Sequence, residues 1–299
     1  PYLAALEREV ALVTALAGRG QAISHLHFGG GTPTFMPDAE LGALIDMLRR
    51  AFDFSDDGEY SIEIDPRTVS PQRVRTLRSM GLNRVSLGVQ DFDPVVQAAV
   101  NRIQPYEQTV ELIEAAREAG FKSINVDLIY GLPKQHHAGF EETLRKTIAA
   151  APGRIALYHY AHLPALFKPQ RRIAEADLPS SEEKARMFQT AVTMFARAGY
   201  RHLGLDHFAL EDDELSVAQR EGRLHRNFQG YCSHDAGDLI ALGVSSISSV
   251  GDVYAQNDKL LDGYYRRIER GELPAVRGIV LDADDFVRRD AVNALMSEF

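Results

Sequence analysis

Apolar strands and amphipathic helices alternate along this chain as far as residue 206, and such alternation confines it to βαβ units around a largely parallel sheet. Strands are expected over 23–28, 60–65, 83–90, 123–130 and 154–160, with a further short one over 201–206. Helices are expected over 3–16, from 38 through Leu41, Leu44, Ile45 and Leu48, over 70–80, and through Val95, Val96 and Val100. Three more are expected over 106–119, 139–150 and 180–198. Farther on the periodicity weakens: 211–224 reads helical, 226–231 extended, 237–251 as a glycine-serine loop, and 258–270 and 284–296 as closing helices. No Gly-x-Gly-x-x-Gly follows the first strand, which disfavours a dinucleotide-binding sheet, and several strands are mixed on both faces, as in a barrel with a polar mouth. The expected class is α/β, a TIM-type barrel, open or closed.

That reading can be tested within the sequence, because ligands of such barrels bind at the carboxyl ends of the strands. Those ends read Gly29-Gly30-Gly31, then Glu63 and Asp65, then Gln90, then Asp127, then Tyr158-His159-Tyr160-Ala161. A purely structural barrel would favour Val, Ile and Leu there. Singly each residue has an ordinary explanation, since Asp65 before Pro66 suits a turn cap and Gln90 an exposed position. Together they mark a functional mouth. The stretch His25-Leu26-His27-Phe28-Gly29-Gly30-Gly31-Thr32-Pro33-Thr34 is the most unusual part of it. Three glycines remove every side chain where a strand leaves the sheet, so backbone amides and carbonyls can meet a ligand directly. For the glycines taken alone, a plain flexible turn is the alternative.

Composition narrows the ligand. The 299 residues are 45% hydrophobic and 25% charged, ordinary for a globular protein and too apolar for a disordered one. A net charge of -9 opposes broad electrostatic binding to nucleic acid or anionic membranes but leaves room for a localised basic site. No apolar run approaches the roughly 20 residues of a membrane span, and 1–9 reads as an amphipathic helix rather than a signal peptide, so a cytoplasmic location is expected. The single cysteine, Cys232, excludes an internal disulfide framework and a cysteine-only metal site within these residues, and no metal ligands are assigned to them. The chain opens inside one helical pattern without a methionine and closes inside another, and it reads as a fragment.

Six motifs carry a family resemblance. They are His27-Phe28-Gly29-Gly30-Gly31-Thr32-Pro33-Thr34, Ile62-Glu63-Ile64-Asp65-Pro66-Arg67, and Ser86-Leu87-Gly88-Val89-Gln90-Asp91-Phe92. The others are Asn125-Val126-Asp127-Leu128-Ile129-Tyr130-Gly131-Leu132-Pro133, Tyr160-Ala161-His162-Leu163-Pro164, and His225-Arg226-Asn227-Phe228-Gln229-Gly230-Tyr231. With them the chain resembles, over essentially its whole length, the radical S-adenosylmethionine (SAM) enzymes, and within these the oxygen-independent coproporphyrinogen III oxidases. The first and fourth motifs are shared widely among the relatives, and the last two are more specific.

The resemblance implies a partial (β/α)6 radical SAM barrel over 1–210, its first strand missing, and a mostly helical or irregular C-terminal extension over 211–299, the incomplete start of a helical cap. It implies SAM and a [4Fe-4S] cluster as cofactors, coproporphyrinogen III as substrate, an electron donor and an acceptor, and a monomer. The implied reaction takes a hydrogen from the β-carbon of a propionate with a SAM-derived 5′-deoxyadenosyl radical. Loss of CO₂ and one electron leaves a vinyl group, and two such steps give protoporphyrinogen IX. Carried over by position, Gly30, Gly31 and Thr32 hold the methionine end of SAM, and Glu63, Gln90, Arg102 and Asp127 make further contacts. Ala161 and Ile247 touch the adenosyl portion or a second SAM. Bare carbonyls suit an ammonium group, carboxylates suit ribose hydroxyls or an amine, and an arginine fork suits the methionine carboxylate. From spacing alone Arg102 reads as a helix-surface arginine. The family's Cys-x-x-x-Cys-x-x-Cys cluster loop is absent from these residues and Cys232 cannot replace it, so the chain as written is expected to hold a SAM-shaped site without iron and to be inactive alone.

For the four propionates Arg171, Arg172, Arg220 and Arg226 are candidates by segment, with Tyr160, His162 and His207 facing the macrocycle; a buried structural role is open for each histidine. Two other readings are weighed. A haem chaperone of the same superfamily shares the barrel and the Gly-Gly-Thr-Pro signature, and the 225–231 segment speaks against it. A phosphate-binding TIM-barrel enzyme would use the glycine loop for an anion.

Overall fold

The computed structural model describes residues 1–227, 229–233 and 237–297. In chain order, helix α1 (Tyr2–Ala17) leads to strand β1 (Gln21–Phe28), helix α2 (Asp38–Ala51) and strand β2 (Phe52–Ile64). Helix α3 (Pro71–Ser79), strand β3 (Arg84–Gln90), helices α4 (Pro94–Ala99) and α5 (Tyr106–Glu118), strand β4 (Ser123–Tyr130) and helix α6 (His137–Ala150) follow. Next come β5 (Arg154–His159), α7 (Ser181–Arg197), β6 (Tyr200–His202), β7 (His207–Leu210) and α8 (Glu214–Arg220). The chain continues through β8 (His225–Asn227), β9 (Gly230–Cys232), β10 (Ile247–Val250), β11 (Val253–Asn257), α9 (Leu261–Glu269), β12 (Ala275–Val280) and α10 (Ala283–Ser297). It divides into two compact units, one of residues 27–36 and 60–222, the other of 1–26, 37–59 and 223–298.

The expected α/β class with a mostly parallel sheet is what the chain adopts: the main sheet runs β1-β2-β3-β4-β5-β7-β6. Pairs β2/β3, β3/β4 and β4/β5 are parallel. In the 60–222 unit, period-two alternation separates the two faces. Ile62, Ile64, Val85, Leu87, Val126, Leu128, Ile155 and Leu157 are buried. Each Leu or Ile so buried contributes about 1.5–3 kcal/mol. Between them Ser61, Glu63, Ser86, Gly88, Gln90, Asn125 and Asp127 stand half-buried on the opposite face. Side-chain caps hold the helix starts: Ser70 accepts from the Arg73 amide, Asp93 from Val95, Ser180 from Glu183 and Asp213 from Leu215.

The two ends of the parallel strands differ in kind. At the amino ends, Arg154 bonds Asp213 at 2.9 Å and Glu214 at 2.7 Å, and Arg84 pairs with the same Glu214. These buried or nearly buried cations are closed off by carboxylates, as suits a structural end. The carboxyl ends carry the candidate site.

Three expectations need correction. Strand β2 begins at Phe52 rather than at 60: the polar run Asp56-Asp57-Gly58 has a turn's composition, yet lies within a thirteen-residue strand. The single short strand expected over 201–206 is two, β6 and β7, and β7 runs antiparallel to both β5 and β6, so the sheet is not parallel throughout. The extension expected to be mostly helical or irregular also carries a three-stranded antiparallel sheet, β10-β11-β12, and a β8/β9 hairpin. Strand β10 lies inside the supposed loop over 237–251. Phe228 of the 225–231 motif lies outside the described residues.

The second unit has its own core, in which Ala5 of α1 meets Tyr264 and Ile268 of α9, ringed by Tyr2, Leu12, Val244 and Tyr265. Glu9 is 1% exposed at its centre. It accepts from the Gly243 amide at 2.8 Å, Asn257 Nδ2 at 2.7 Å and the Tyr264 hydroxyl at 2.7 Å. Burial raises its carboxyl above the usual range, and the three donors pull against that rise. No helix among the described residues is long and apolar enough to cross a membrane.

Candidate functional site

Backbone conformation sets up the site before any side chain does. After β1 the chain passes through Gly29, Gly30 and Gly31, with Gly30 at φ +106°, in the region that favours glycine. A β-carbon at Gly29 would strike His27 Nε2 at 2.5 Å and stand 3.1 Å from Glu63 Oε1, so this turn lies against Glu63. A β-carbon at Gly30 or Gly31 would meet no protein atom within 4 Å. The first glycine lies against the His27 and Glu63 side chains; the third is demanded by nothing in the chain itself. Thr32 follows without a side-chain capping bond, and the buried Thr34 hydroxyl has no partner.

Glu63, in β2, accepts or shares a proton with His27 Nε2 at 3.3 Å, while His27 Nδ1 bonds Ser61 Oγ at 2.8 Å. The next polar residue, Asp65, is gripped by Arg67, whose Nη2 lies at 2.6 Å and Nε at 2.9 Å. Burial alone would raise the Asp65 carboxyl, but the Arg67 hydrogen bonds and the nearby Arg102 hold it below the usual range. Arg102 approaches Asp65 at 3.5 Å and donates from Nη2 to the Gly88 carbonyl at 2.8 Å. Its Nε is buried and has no partner. Glu63 keeps 42% of its side chain exposed and Arg102 24%, against 9% for Asp65. Glu63 and Arg102 are therefore open to a ligand, and Asp65 is their support.

Strand β3 contributes Gly88 and Gln90. The register with β4 shifts between them, and Gln90 takes φ +69°, unusual for a residue with a side chain. A β-carbon at Gly88 would crowd Arg102 Nη2 and Gln90 Nε2, each at 3.0 Å, so glycine is what lets the arginine reach the strand. Gly88 pairs in register with Asp127.

Asp127 was expected at a strand end and is instead the fifth of the eight residues of β4, one layer below the rim. It accepts from Ser86 Oγ at 2.9 Å and Asn125 Nδ2 at 2.7 Å. Burial pushes its carboxyl up to about 6, the Glu63 carboxylate adds to the rise, and Ser86, Asn125 and His207 oppose it. Ser86 and Asn125 escaped the sequence reading, although their period-two offset from Gly88 and Asp127 was the signal that places them on this face.

The structure thus brings Gly30, Gly31, Thr32, Glu63, Gln90, Arg102 and Asp127 into one unit, linked through Gly29, Asp65 and Gly88. Ala161, just beyond β5, belongs to the same unit; its carbonyl accepts from Gln170 Nε2 at 3.0 Å. Ile247 belongs to the other unit, where it opens β10 opposite Gln256. Of the basic candidates, Arg220 is paired with Glu211 at 2.9 Å and Arg226 lies 4.6 Å over the Tyr231 ring. Tyr160 and His162 face each other across 3.4 Å, and His207 is bonded to Asp206 at 2.6 Å.

A charged, zwitterionic ligand fits this donor and acceptor set. The orphaned Arg102 Nε asks for an anion, Glu63 and Asp127 ask for a cation or hydroxyl groups, and the bare glycine backbone leaves room for close approach. An iron–sulfur cluster does not fit the residues in hand. The sequence holds one cysteine, and among the described residues no three His, Cys, Asp or Glu side chains are grouped to bind a metal ion.

Comparison with known proteins adds a family to this geometry. Residues 1–147 match the radical SAM superfamily. The chain is 49% identical over 301 aligned residues to a Pseudomonas aeruginosa protein named oxygen-independent coproporphyrinogen III oxidase, covering 100% of this chain and 65% of that protein. It is 47% identical over 298 residues to the Escherichia coli protein of the same name, again covering 100% and 65%. A solved structure of coproporphyrinogen III oxidase from Escherichia coli, described as a radical SAM enzyme, superimposes with a TM-score of 0.96 at 47% identity. That match covers 100% of this chain and 68% of the solved one. The chain spans about 65% of the length of the curated relatives it matches.

Proposed function

This chain belongs to the oxygen-independent coproporphyrinogen III oxidase family of the radical SAM superfamily, and on that premise we propose that it forms the cofactor- and substrate-binding part of an enzyme that converts two propionates of coproporphyrinogen III to vinyl groups. The product is protoporphyrinogen IX, and each step releases CO₂ and one electron to an acceptor. In the family, SAM, a [4Fe-4S] cluster and an electron donor would supply the 5′-deoxyadenosyl radical for hydrogen abstraction, and a three-cysteine ligand set for that cluster is not among these residues.

The chain's own residues bind and orient. Arg102, held by Asp65 and the Gly88 carbonyl, offers its part-exposed guanidinium to the methionine carboxylate. Carbonyls of Gly30 and Gly31, with Thr32, receive the ammonium group in the space that no side chain fills. Glu63 and Asp127 offset the positive charge of the ligand, and Gln90 and Ala161 bound the nucleoside side of the site. The cell compartment proposed is the cytoplasm, and the protein is proposed to act as a monomer.

The observation that carries this reading is Arg102, an arginine with a carboxylate behind it, a carbonyl beneath it and a part-exposed guanidinium, in one unit with the strand carboxylates Glu63 and Asp127 and the bare Gly30-Gly31 turn. The test is anaerobic incubation of the cluster-loaded protein that contains this chain with SAM, reductant and coproporphyrinogen III. CO₂ release with appearance of vinyl groups is expected. SAM binding without decarboxylation of this substrate would send the reading back to another radical SAM reaction.

A further inference from the structure

The segment after β5 is unlike the rest of the chain in charge. From 143 to 174 there is no Asp or Glu, in a protein whose net charge is -9. Within it Leu163 is 45% exposed, Leu166 74% and Phe167 54%, and the basic residues Lys168, Arg171 and Arg172 follow directly and are exposed as well. Among the described residues none of these three cations forms an ion pair; Arg171 donates only to the Pro164 carbonyl, at 3.0 Å.

Exposed apolar side chains usually signal a loose loop, and this one is not loose. Gln170 staples it from within, its Oε1 accepting from the Leu163 amide at 2.5 Å and its Nε2 donating to the Ala161 carbonyl at 3.0 Å. Backbone bonds from Leu166 and Phe167 to Leu163, and from Gln170 to Phe167, complete two tight turns. An ordered frame therefore holds three large apolar groups and three unpaired cations out to solvent, at the carboxyl edge of the parallel strands and one bond from Ala161. Ordering such groups without burying them is unfavourable unless something covers them.

The geometry points to residues 163–172 as the docking element for the amphiphilic polycarboxylate substrate, with Leu163, Leu166 and Phe167 against the tetrapyrrole face and Lys168, Arg171 and Arg172 on its propionates. This rests on the functional reading above. Charge complementarity selects the occupant, because four carboxylates around an apolar ring are the counterpart of cations flanking an apolar patch. Of the four arginines that sequence alone offered, Arg220 has a carboxylate partner and Arg226 an aromatic one, which leaves Arg171 and Arg172.

The experiment titrates the intact protein with coproporphyrin III, the oxidised form that cannot turn over, following its Soret band, and measures SAM affinity in parallel. In the double variant Arg171→Ala/Arg172→Ala, and separately in Leu166→Ser/Phe167→Ser, coproporphyrin affinity is expected to fall about tenfold or more while SAM affinity and melting temperature hold. Affinity of the unaltered protein is expected to weaken as salt is raised. Equal coproporphyrin affinity in the unaltered protein and both variants would overturn the assignment and leave the decarboxylase reading standing. Failure of the unaltered protein to bind coproporphyrin or release CO₂ would overturn both. Binding to phosphatidylglycerol vesicles, lost in the same variants while coproporphyrin binding persists, would reassign the element to a lipid surface.

Discussion

Replacing Asp127 by Asn should stabilise this protein at neutral pH while weakening its hold on a cationic ligand. In the folded chain burial of the carboxyl group within its half-buried side chain pushes Asp127 up to about 6 from 3.8, with the Glu63 carboxylate adding to the rise. A folded-state value above the unfolded one means that ionisation costs the folded state. Below pH 3.8 the acid is protonated in both states and nothing is lost. Between 3.8 and 6 the loss grows, and above 6 it is complete. A shift of about two units at about 1.4 kcal/mol per unit gives roughly 3 kcal/mol against folding at pH 7.5. Asparagine carries no charge to desolvate, keeps an oxygen for Asn125 Nδ2 and turns its amide toward Ser86 Oγ, at a cost of about 1 kcal/mol in hydrogen-bond geometry. The net gain expected at pH 7.5 is therefore about 2 kcal/mol, falling to zero or slightly negative by pH 4. Urea denaturation of both proteins at pH 4, 6 and 8 measures it. Equal stability differences at all three values, or destabilisation at pH 8, would refute the argument that the fold holds this carboxylate under strain. SAM affinity of Asp127→Asn should fall, and that of the unaltered protein should rise with pH through about 6.

Other substitutions separate scaffold from site. Gly31→Ala adds a methyl group where the protein has no atom within 4 Å and φ is ordinary, so melting should hold or rise slightly while calorimetric SAM affinity drops about tenfold; unchanged affinity would make the turn merely a turn. Asp65→Asn removes the charge behind Arg102 and should raise the KM for SAM about tenfold with kcat little altered; a fall in kcat alone would contradict a supporting role. Glu9→Ala leaves the Gly243 amide and the Tyr264 hydroxyl without their acceptor and takes one of three from Asn257 Nδ2, and should lower stability by about 3 kcal/mol in urea denaturation.

Much of the barrel was legible because strong period-two and period-3.6 patterns coincide with its elements. Strand β4 is found over the expected 123–130, and Ser70, with Pro71 after it, opens α3 as expected. What escaped was pairing. A four-residue strand such as β7 carries too few alternations to register, and its antiparallel bonds to β5 join residues more than fifty positions apart. Strands β10 and β11 are mostly half-buried, with Ser248, Ser249 and Gln256 among them, and β12 is mostly exposed, so they lack the apolar run that marks a buried strand. The site was legible as a set of polar residues near strand ends, but not as a network. That Asp127 sits one layer down on Ser86 and Asn125, and that Gly88 is small to admit Arg102, follow from register, which no single strand discloses.

The central claim is that Arg102, prepared by Asp65 and Gly88, receives the carboxylate of SAM. Isothermal titration of SAM into the intact protein and into its Arg102→Met variant tests it most directly. Saturable binding by the unaltered protein, weakened at least about tenfold in the variant with melting unchanged, is the predicted result. Equal affinity in the two proteins would contradict it.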